Sequence, residues 1–190
     1  MFILASSSPR RIQILKTIIE DFVVVKPTFD ETLISKKSKN YAMEESLNKA
    51  LSVKSLAKPQ DFILSCDTII IFNNEIIGKP KDRNDAFLTL KKLSNNTHYV
   101  ISGYTILHED KIINREIKSQ ITFSELDDDF INYYIDNYEV MDKAGSYAIQ
   151  DEVIFKRIKK MEGSYLNIMG LPLEDIKEQL KLLNALSNFI

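Results

Sequence analysis

Residues 62–72 read FILSCDTIIIF, an apolar run with one aspartate, Asp67, at its centre. Its β-branched and aromatic content fits a strand, and aspartate is depleted in strands. An ionised carboxylate among such neighbours is costly unless it is paired or holds a metal. Two accounts fit the residue. Either a strand end or bulge exposes it, or a partner stabilises it. Asn73-Asn74 follows as a hairpin turn into 75–77. Around this run the apolar spacing alternates between strand and helix periods. It predicts strands over 2–5, 22–25, 99–107, 116–123 and 153–158. It predicts helices through Ile12, Leu15 and Ile19, through Met43, Leu47, Ala50 and Leu51, through Ala86, Phe87, Leu90 and Leu93, through Phe130, Tyr134 and Ile135, and through Leu173, Ile176, Leu180 and Leu183. Asp82 and Ser124 are the expected caps of the third and fourth of these helices. The sum is an α/β fold around one mixed sheet, a single domain over 1–190.

Composition removes several function classes. Lys and Arg number 25 against 27 Asp and Glu, for a net charge of -2. That balance argues against stable nucleic-acid binding, which calls for a basic surface. The one cysteine, Cys66, excludes an intramolecular disulfide and suits a reducing compartment. Two histidines, His98 and His108, are too few for the usual Cys/His zinc site. Acid–base or metal chemistry is therefore expected from Asp and Glu. The N-terminal residues MFIL are too short for a signal-peptide core. No apolar run approaches the ~20 residues of a membrane helix. The expectation is a cytoplasmic protein without membrane contact.

Other segments stand out. In Ser6-Ser7-Ser8-Pro9-Arg10-Arg11, Ser8 suits an N-cap and Pro9 the first helical position. Two arginines in that first turn oppose the helix dipole unless an anion sits between them, or else they are solvated on a surface helix. Asp30-Glu31 is a candidate ligand pair for Mg²⁺ or Mn²⁺, or a pair of solvated loop acids. Lys49 on its helix and Lys79 in Gly78-Lys79-Pro80 read, taken alone, as plain surface lysines. In the segment AGSYAIQ (144–150), Gln150 has the donor and acceptor needed to read a base edge, unless it merely serves a turn. Neither GxxxxGK[ST] nor GxGxxG occurs, so P-loop and Rossmann readings lack support.

Taken in order, LASSSPRR, FDE, LNKA, CDTII, GKP, LSNNTH, DKAGSYAIQ and GSYLNIMGLPL resemble the Maf family of nucleoside triphosphate pyrophosphatases, collinearly from Leu4 to about Leu173. The resemblance implies a curved mixed sheet flanked by helices, with two lobes around a central cleft, related to inosine triphosphate pyrophosphatases. It implies hydrolysis of a nucleoside triphosphate to the monophosphate and pyrophosphate with a divalent metal, Mg²⁺ or Mn²⁺. DKAGSYAIQ resembles the branch acting on dTTP and UTP. The branch acting on 7-methyl-GTP usually has a Glu-Gly pair in place of Ile-Gln. Asp67 matches the family's proton acceptor. Arg10, Thr68 and Gln150 match positions tied to substrate choice. Ser6, Arg11, Glu31, Lys49 and Lys79 match polar residues of the phosphate and metal region, with Glu31 and Asp67 the expected metal ligands. A homodimer is expected by the same analogy.

The sequence also departs from the family pattern. CDT stands for the usual ADT, and Ser102-Gly103-Tyr104 for TGV or TAV. Asp151-Glu152 follows Gln150 where many members have a glycine-rich stretch, which stiffens the loop and adds two negative charges. Two rival functions fit the same residues: a non-catalytic nucleotide-binding regulator of cell division, and the same chemistry on a modified nucleotide such as 7-methyl-GTP.

Overall fold

The computed structural model describes residues 1–30, 34, 35 and 38–184. Seven strands form one mixed sheet flanked by helices: β1 (Phe2–Ala5), β2 (Val23–Val25), β3 (Phe62–Phe72), β4 (Glu75–Ile77), β5 (Thr97–His108), β6 (Lys111–Phe123) and β7 (Ile158–Glu162). Their order is β2-β1-β3-β5-β6-β7, with β4 paired to β3. β1 runs parallel to β2 and β3, in the register Ile3↔Val23 and Leu4↔Leu64. The helices are α1 (Pro9–Leu15), α2 (Tyr41–Ser52), α3 (Arg83–Leu93), α4 (Asp128–Asn137), α5 (Glu152–Phe155), α6 (Tyr165–Met169) and α7 (Leu173–Leu182).

Local chemistry accounts for most boundaries. Asn73 and Asn74 have φ of 50° and 63°, the left-handed pair that a type I′ hairpin turn needs. Ser8 caps α1 by accepting from the Arg11 N–H, with Pro9 in the first turn. Asp82 caps α3 by accepting from the Asp85 N–H at 2.8 Å.

Three expectations need correction. Asp127, not Ser124, caps α4, accepting from the Phe130 N–H at 2.8 Å. The Ser124 hydroxyl instead donates to the Arg157 carbonyl at 2.9 Å. Residues 153–158 are not a strand. The Phe155 and Lys156 N–H groups bond back to the Asp151 and Glu152 carbonyls at 2.9 and 3.0 Å, which closes helix α5. Only Ile154 of that helix is buried, and strand pairing starts later, with Ile158 opposite Phe123. On α2 the buried face is Tyr41, Ala42, Glu45, Ser46, Lys49 and Ala50, while Leu51 is exposed. The apolar stripe misplaces this face because polar partners await it.

The chain divides into two compact units. The first comprises Met1–Thr68, Ser102–Ile117 and the segment from Gly170; the second comprises Ile69–Ile101 and Lys118–Met169. Ile3, Ala5, Ala50, Val53, Ile63 and Leu107 form a core cluster in the first unit. A larger cluster, including Leu90, Ile121, Phe123, Tyr134, Tyr147 and Ile154, fills the second. Among the described residues no helix is long and apolar enough to cross a membrane.

His98 lies wholly inside the second unit, against Phe123, with Nε2 2.7 Å from the Tyr147 hydroxyl. Burial holds its pKa down, to about 4. The folded protein thus keeps this ring neutral while the unfolded chain protonates near 6.5. Stability from this group is full above pH 6.5 and is lost as pH falls toward 4. Denaturant titrations from pH 6.5 to 5 should show about 2 kcal/mol of loss attributable to it. His98→Gln should flatten that slope; parallel slopes in the two proteins would contradict the assignment.

Candidate active site

Asp67 and Thr68 are the last residues of β3 within the first unit. Adjacent strand residues leave opposite faces of a sheet, so they carry two different clusters. On the Asp67 face lies α2. Ser65, two residues earlier and on the same face, donates to the Ser46 carbonyl at 2.5 Å. Ser46 in turn shares a hydrogen bond with Thr105 at 2.9 Å. α2 approaches β5 closely because Gly103 has no side chain: a Cβ there would stand 2.2 Å from the Ala42 carbonyl carbon and oxygen. This seating aims the polar face of α2 at Asp67.

Lys49 Nζ sits 2.6 Å from Asp67 Oδ1 and 3.4 Å from Glu45 Oε2, one helical turn away. The lysine and aspartate side chains are 11% and 16% exposed and that of Glu45 1%, so this is a buried charge cluster with a small opening at Lys49 and Asp67. In such a buried pair each charge offsets the other's desolvation cost, so removing either one is expensive. The aspartate in the apolar strand therefore has its partner, and Lys49 is no surface lysine.

The opposite face gathers on one carbonyl. Gly170 O accepts from Arg11 Nε at 2.9 Å, from the Cys66 thiol at 3.4 Å and from the Thr68 hydroxyl at 3.3 Å. Thr68 Oγ1 also accepts from Arg11 Nη2 at 3.3 Å and lies 2.8 Å from Ser102 Oγ. Gly170 has φ +113°, a conformation that L side chains rarely adopt, which explains a glycine here. Arg11 thus commits two of its five N–H donors to these partners. Burial pushes the Cys66 thiol above its ordinary value, which leaves it inert at neutral pH.

The other expected residues lie further apart in sequence and role. Ser6 is buried and accepts from the Ser8 N–H at 3.1 Å, shaping the turn into α1. Arg10, in the first turn of α1, is half-buried. Glu31 lies outside the described residues. Lys79 and Gln150 belong to the second unit and are exposed. Gln150 borders a hollow of about 380 Å³, lined also by Ile149, Glu152, Phe155, Met161 and Tyr165. A mostly apolar wall with aromatic rings and one amide suits a flat heterocycle with polar edges. Sequence reasoning missed Glu45 and the Gly170 carbonyl. The i, i+4 spacing of Glu45 and Lys49 was the available signal for the first; for the second, the glycine of Gly170-Leu171-Pro172 signals a special backbone conformation but not which groups its carbonyl meets.

For a divalent cation, the donor set is decisive. Among the described residues no group of three Asp, Glu, His or Cys side chains stands ready to hold a metal. Mg²⁺ commonly takes one or two carboxylates and completes its shell with substrate phosphates and water. A half-open carboxylate such as Asp67 fits that second mode.

The sequence profile of the Maf-like protein family matches residues 1–183. The chain belongs to the Maf family. A dTTP/UTP pyrophosphatase of Thermosipho africanus is 40% identical over 174 residues, 92% of this chain and 88% of that one. Proteins of the same description from Clostridium botulinum (strain Okra / Type B1) and Clostridium perfringens (strain SM101 / Type A) are 41% and 39% identical. They cover 94% and 98% of this chain, and 94% and 96% of their own lengths. Among solved structures, the Staphylococcus aureus Ham1 protein is similar over 67% of this chain and 72% of its own, with a TM-score of 0.44 and 17% identity.

Removing the cation from this Maf cluster leaves two buried acids facing each other's field. Lys49→Met should cost about 3–5 kcal/mol of stability, the usual penalty for breaking a buried pair. Glu45→Leu added to it should restore part of that loss. Denaturant unfolding of the single and double variants measures both; a Lys49→Met protein as stable as wild type would contradict the cluster.

Proposed function

We propose that this protein hydrolyses nucleoside triphosphates, dTTP and UTP foremost, to the nucleoside monophosphate and pyrophosphate. The observation that carries the reading is Asp67: a carboxylate set in an apolar strand and held by Lys49 at 2.6 Å, in a Maf chain. The relatives' printed activity supports the substrate class.

A triphosphate brings roughly four negative charges near neutral pH. Arg10, Arg11, Lys49 and Lys79 offset them, with Ser6 as a further polar contact and Thr68 tied, with Arg10, to substrate choice. Asp67 accepts the proton of the water that attacks the α-phosphorus. Lys49 keeps that carboxylate in place, and its charge stabilises the oxyanion character that develops on the leaving pyrophosphate. A divalent cation, Mg²⁺ or Mn²⁺, held by Asp67, Glu31 and the phosphate oxygens, would supply further charge neutralisation when bound. Gln150 selects the base: its amide pairs with one edge, and a mismatched edge leaves polar groups unpaired.

The same reading places the protein in the cytoplasm, with its single thiol reduced, and without nucleic-acid or membrane partners. By family analogy it works as a homodimer.

Pyrophosphate release with Mg²⁺ or Mn²⁺, measured across dTTP, UTP, CTP, the purine triphosphates and 7-methyl-GTP, tests the reading. Release should be greatest from dTTP and UTP. Asp67→Asn should lower it about 10²–10⁴-fold, the worth of a general base. Wild-type turnover by folded Asp67→Asn would remove Asp67 from the mechanism. Gln150→Ala should change the ratio among nucleotides by about tenfold, more than it changes the total rate. An unchanged profile would sink the role of Gln150.

A further inference from the structure

The two acids that follow Gln150 have separate fates. Glu152 forms an exposed i, i+4 pair with Lys156 at 2.6 Å, an ordinary helix-surface contact. Asp151 turns inward. Its Oδ2 accepts a hydrogen bond from the Tyr134 hydroxyl at 2.5 Å. The same hydroxyl oxygen accepts from the Ala148 N–H at 3.0 Å. The Asp151 N–H bonds the Ala148 carbonyl at 3.1 Å, so residues 148–151 form a closed turn. Gln150 projects from this turn.

The phenol that ties the turn cannot shift. Tyr134 is fully buried on α4, its ring stacked on Tyr138 at 4.9 Å and 29°. One hydroxyl proton goes to the carboxylate and one lone pair takes the amide, so the group's two bonds are complementary and both are made. The bond to the ionised acceptor is of the stronger kind. Just before the turn, the Tyr147 hydroxyl lies 2.7 Å from His98 Nε2, which fixes the entering strand of chain as well. A loop residue whose backbone is anchored on both sides sends its side chain out from one place and in one initial direction. That launch point matters for glutamine, because its amide donor and acceptor pair with a base edge only from within hydrogen-bond reach.

We propose that Tyr134 and Asp151 are positioning residues for nucleotide selection: they clamp the 148–151 turn so that the Gln150 side chain starts toward the base edge from one fixed point. The inference rests on the reading of Gln150 given above. It converts the acidic departure after Gln150 from an added charge near the base into a structural tie. The clamp acts on recognition, so its loss appears in KM for the favoured nucleotides and in discrimination, ahead of kcat.

The test compares kcat and KM for UTP and CTP in wild type, Tyr134→Phe, Asp151→Ala, Gln150→Ala and the Tyr134→Phe/Gln150→Ala double variant, each with its thermal midpoint. Tyr134→Phe and Asp151→Ala should each lower the UTP-to-CTP ratio of kcat/KM about tenfold, the worth of one charge-assisted bond. Most of that change should lie in KM. In the double variant Tyr134→Phe should remove nothing beyond what Gln150→Ala removes, because it acts through that residue. Asp151→Ala, at a half-buried position, carries the test alone if Tyr134→Phe does not fold. Folded Tyr134→Phe and Asp151→Ala proteins that keep the full ratio, while Gln150→Ala loses it, would overturn the clamp and leave the role of Gln150 standing. A Gln150→Ala protein with the wild-type ratio would overturn both.

Discussion

Lys49 reaches Asp67 from the buried face of α2, and the local design of the first unit follows from that one bond. An ionised carboxylate in FILSCDTIIIF is costly without a cation, and a charged lysine that leaves water is costly without a carboxylate. Each tolerates burial because of the other. The pair then dictates which face of α2 turns inward. Glu45, Ser46 and Lys49 are buried while Leu51 stands in solvent, the reverse of what hydrophobicity alone asks. Gly103 gives the helix the close approach that this orientation needs.

Strand β3 does double duty at this point. Its pleat sends Asp67 toward α2 and Thr68 toward α1 and the Gly170 carbonyl. Two consecutive residues thus anchor an acid–base cluster and an arginine-bearing cluster at one place on the chain. The second cluster is organised by a backbone group rather than by charge. Arg11, Thr68 and Cys66 all give hydrogen bonds to one oxygen, and a glycine at φ +113° presents it. Under the proposed chemistry, this arrangement holds a guanidinium ready for phosphate with most of its rotamer freedom already spent.

Elements whose cause is local were legible in the sequence. The Asn73-Asn74 turn, the Ser8-Pro9 start of α1 and the Asp82 cap each follow from residues within a few positions. So does β3 itself, and so does the oddity of Asp67. What was not legible depends on distant partners. Ser124 looks like a cap, yet the Arg157 carbonyl 33 positions away takes its hydroxyl. Residues 153–158 look like a strand, yet the first of them close a helical turn before β7 begins. The buried face of α2 is set by Asp67, Ser65 and Thr105, none of them in its own periodicity. Asp151 reads as a stray charge until Tyr134, 17 positions earlier, is found donating to it. Among the candidate site residues, Asp67, Lys49, Thr68 and Arg11 do lie in the first unit's two clusters, whereas Glu45 entered only through the fold.

A crystal structure with the non-hydrolysable α,β-imido analogue of UTP and Mg²⁺ would test the central claim most directly. The account predicts an ordered water in line with the α-phosphorus and opposite the leaving pyrophosphate group, within hydrogen-bond distance of Asp67, with Lys49 still on the Asp67 carboxylate. An α-phosphorus bound away from Asp67, with no water between them, would contradict it.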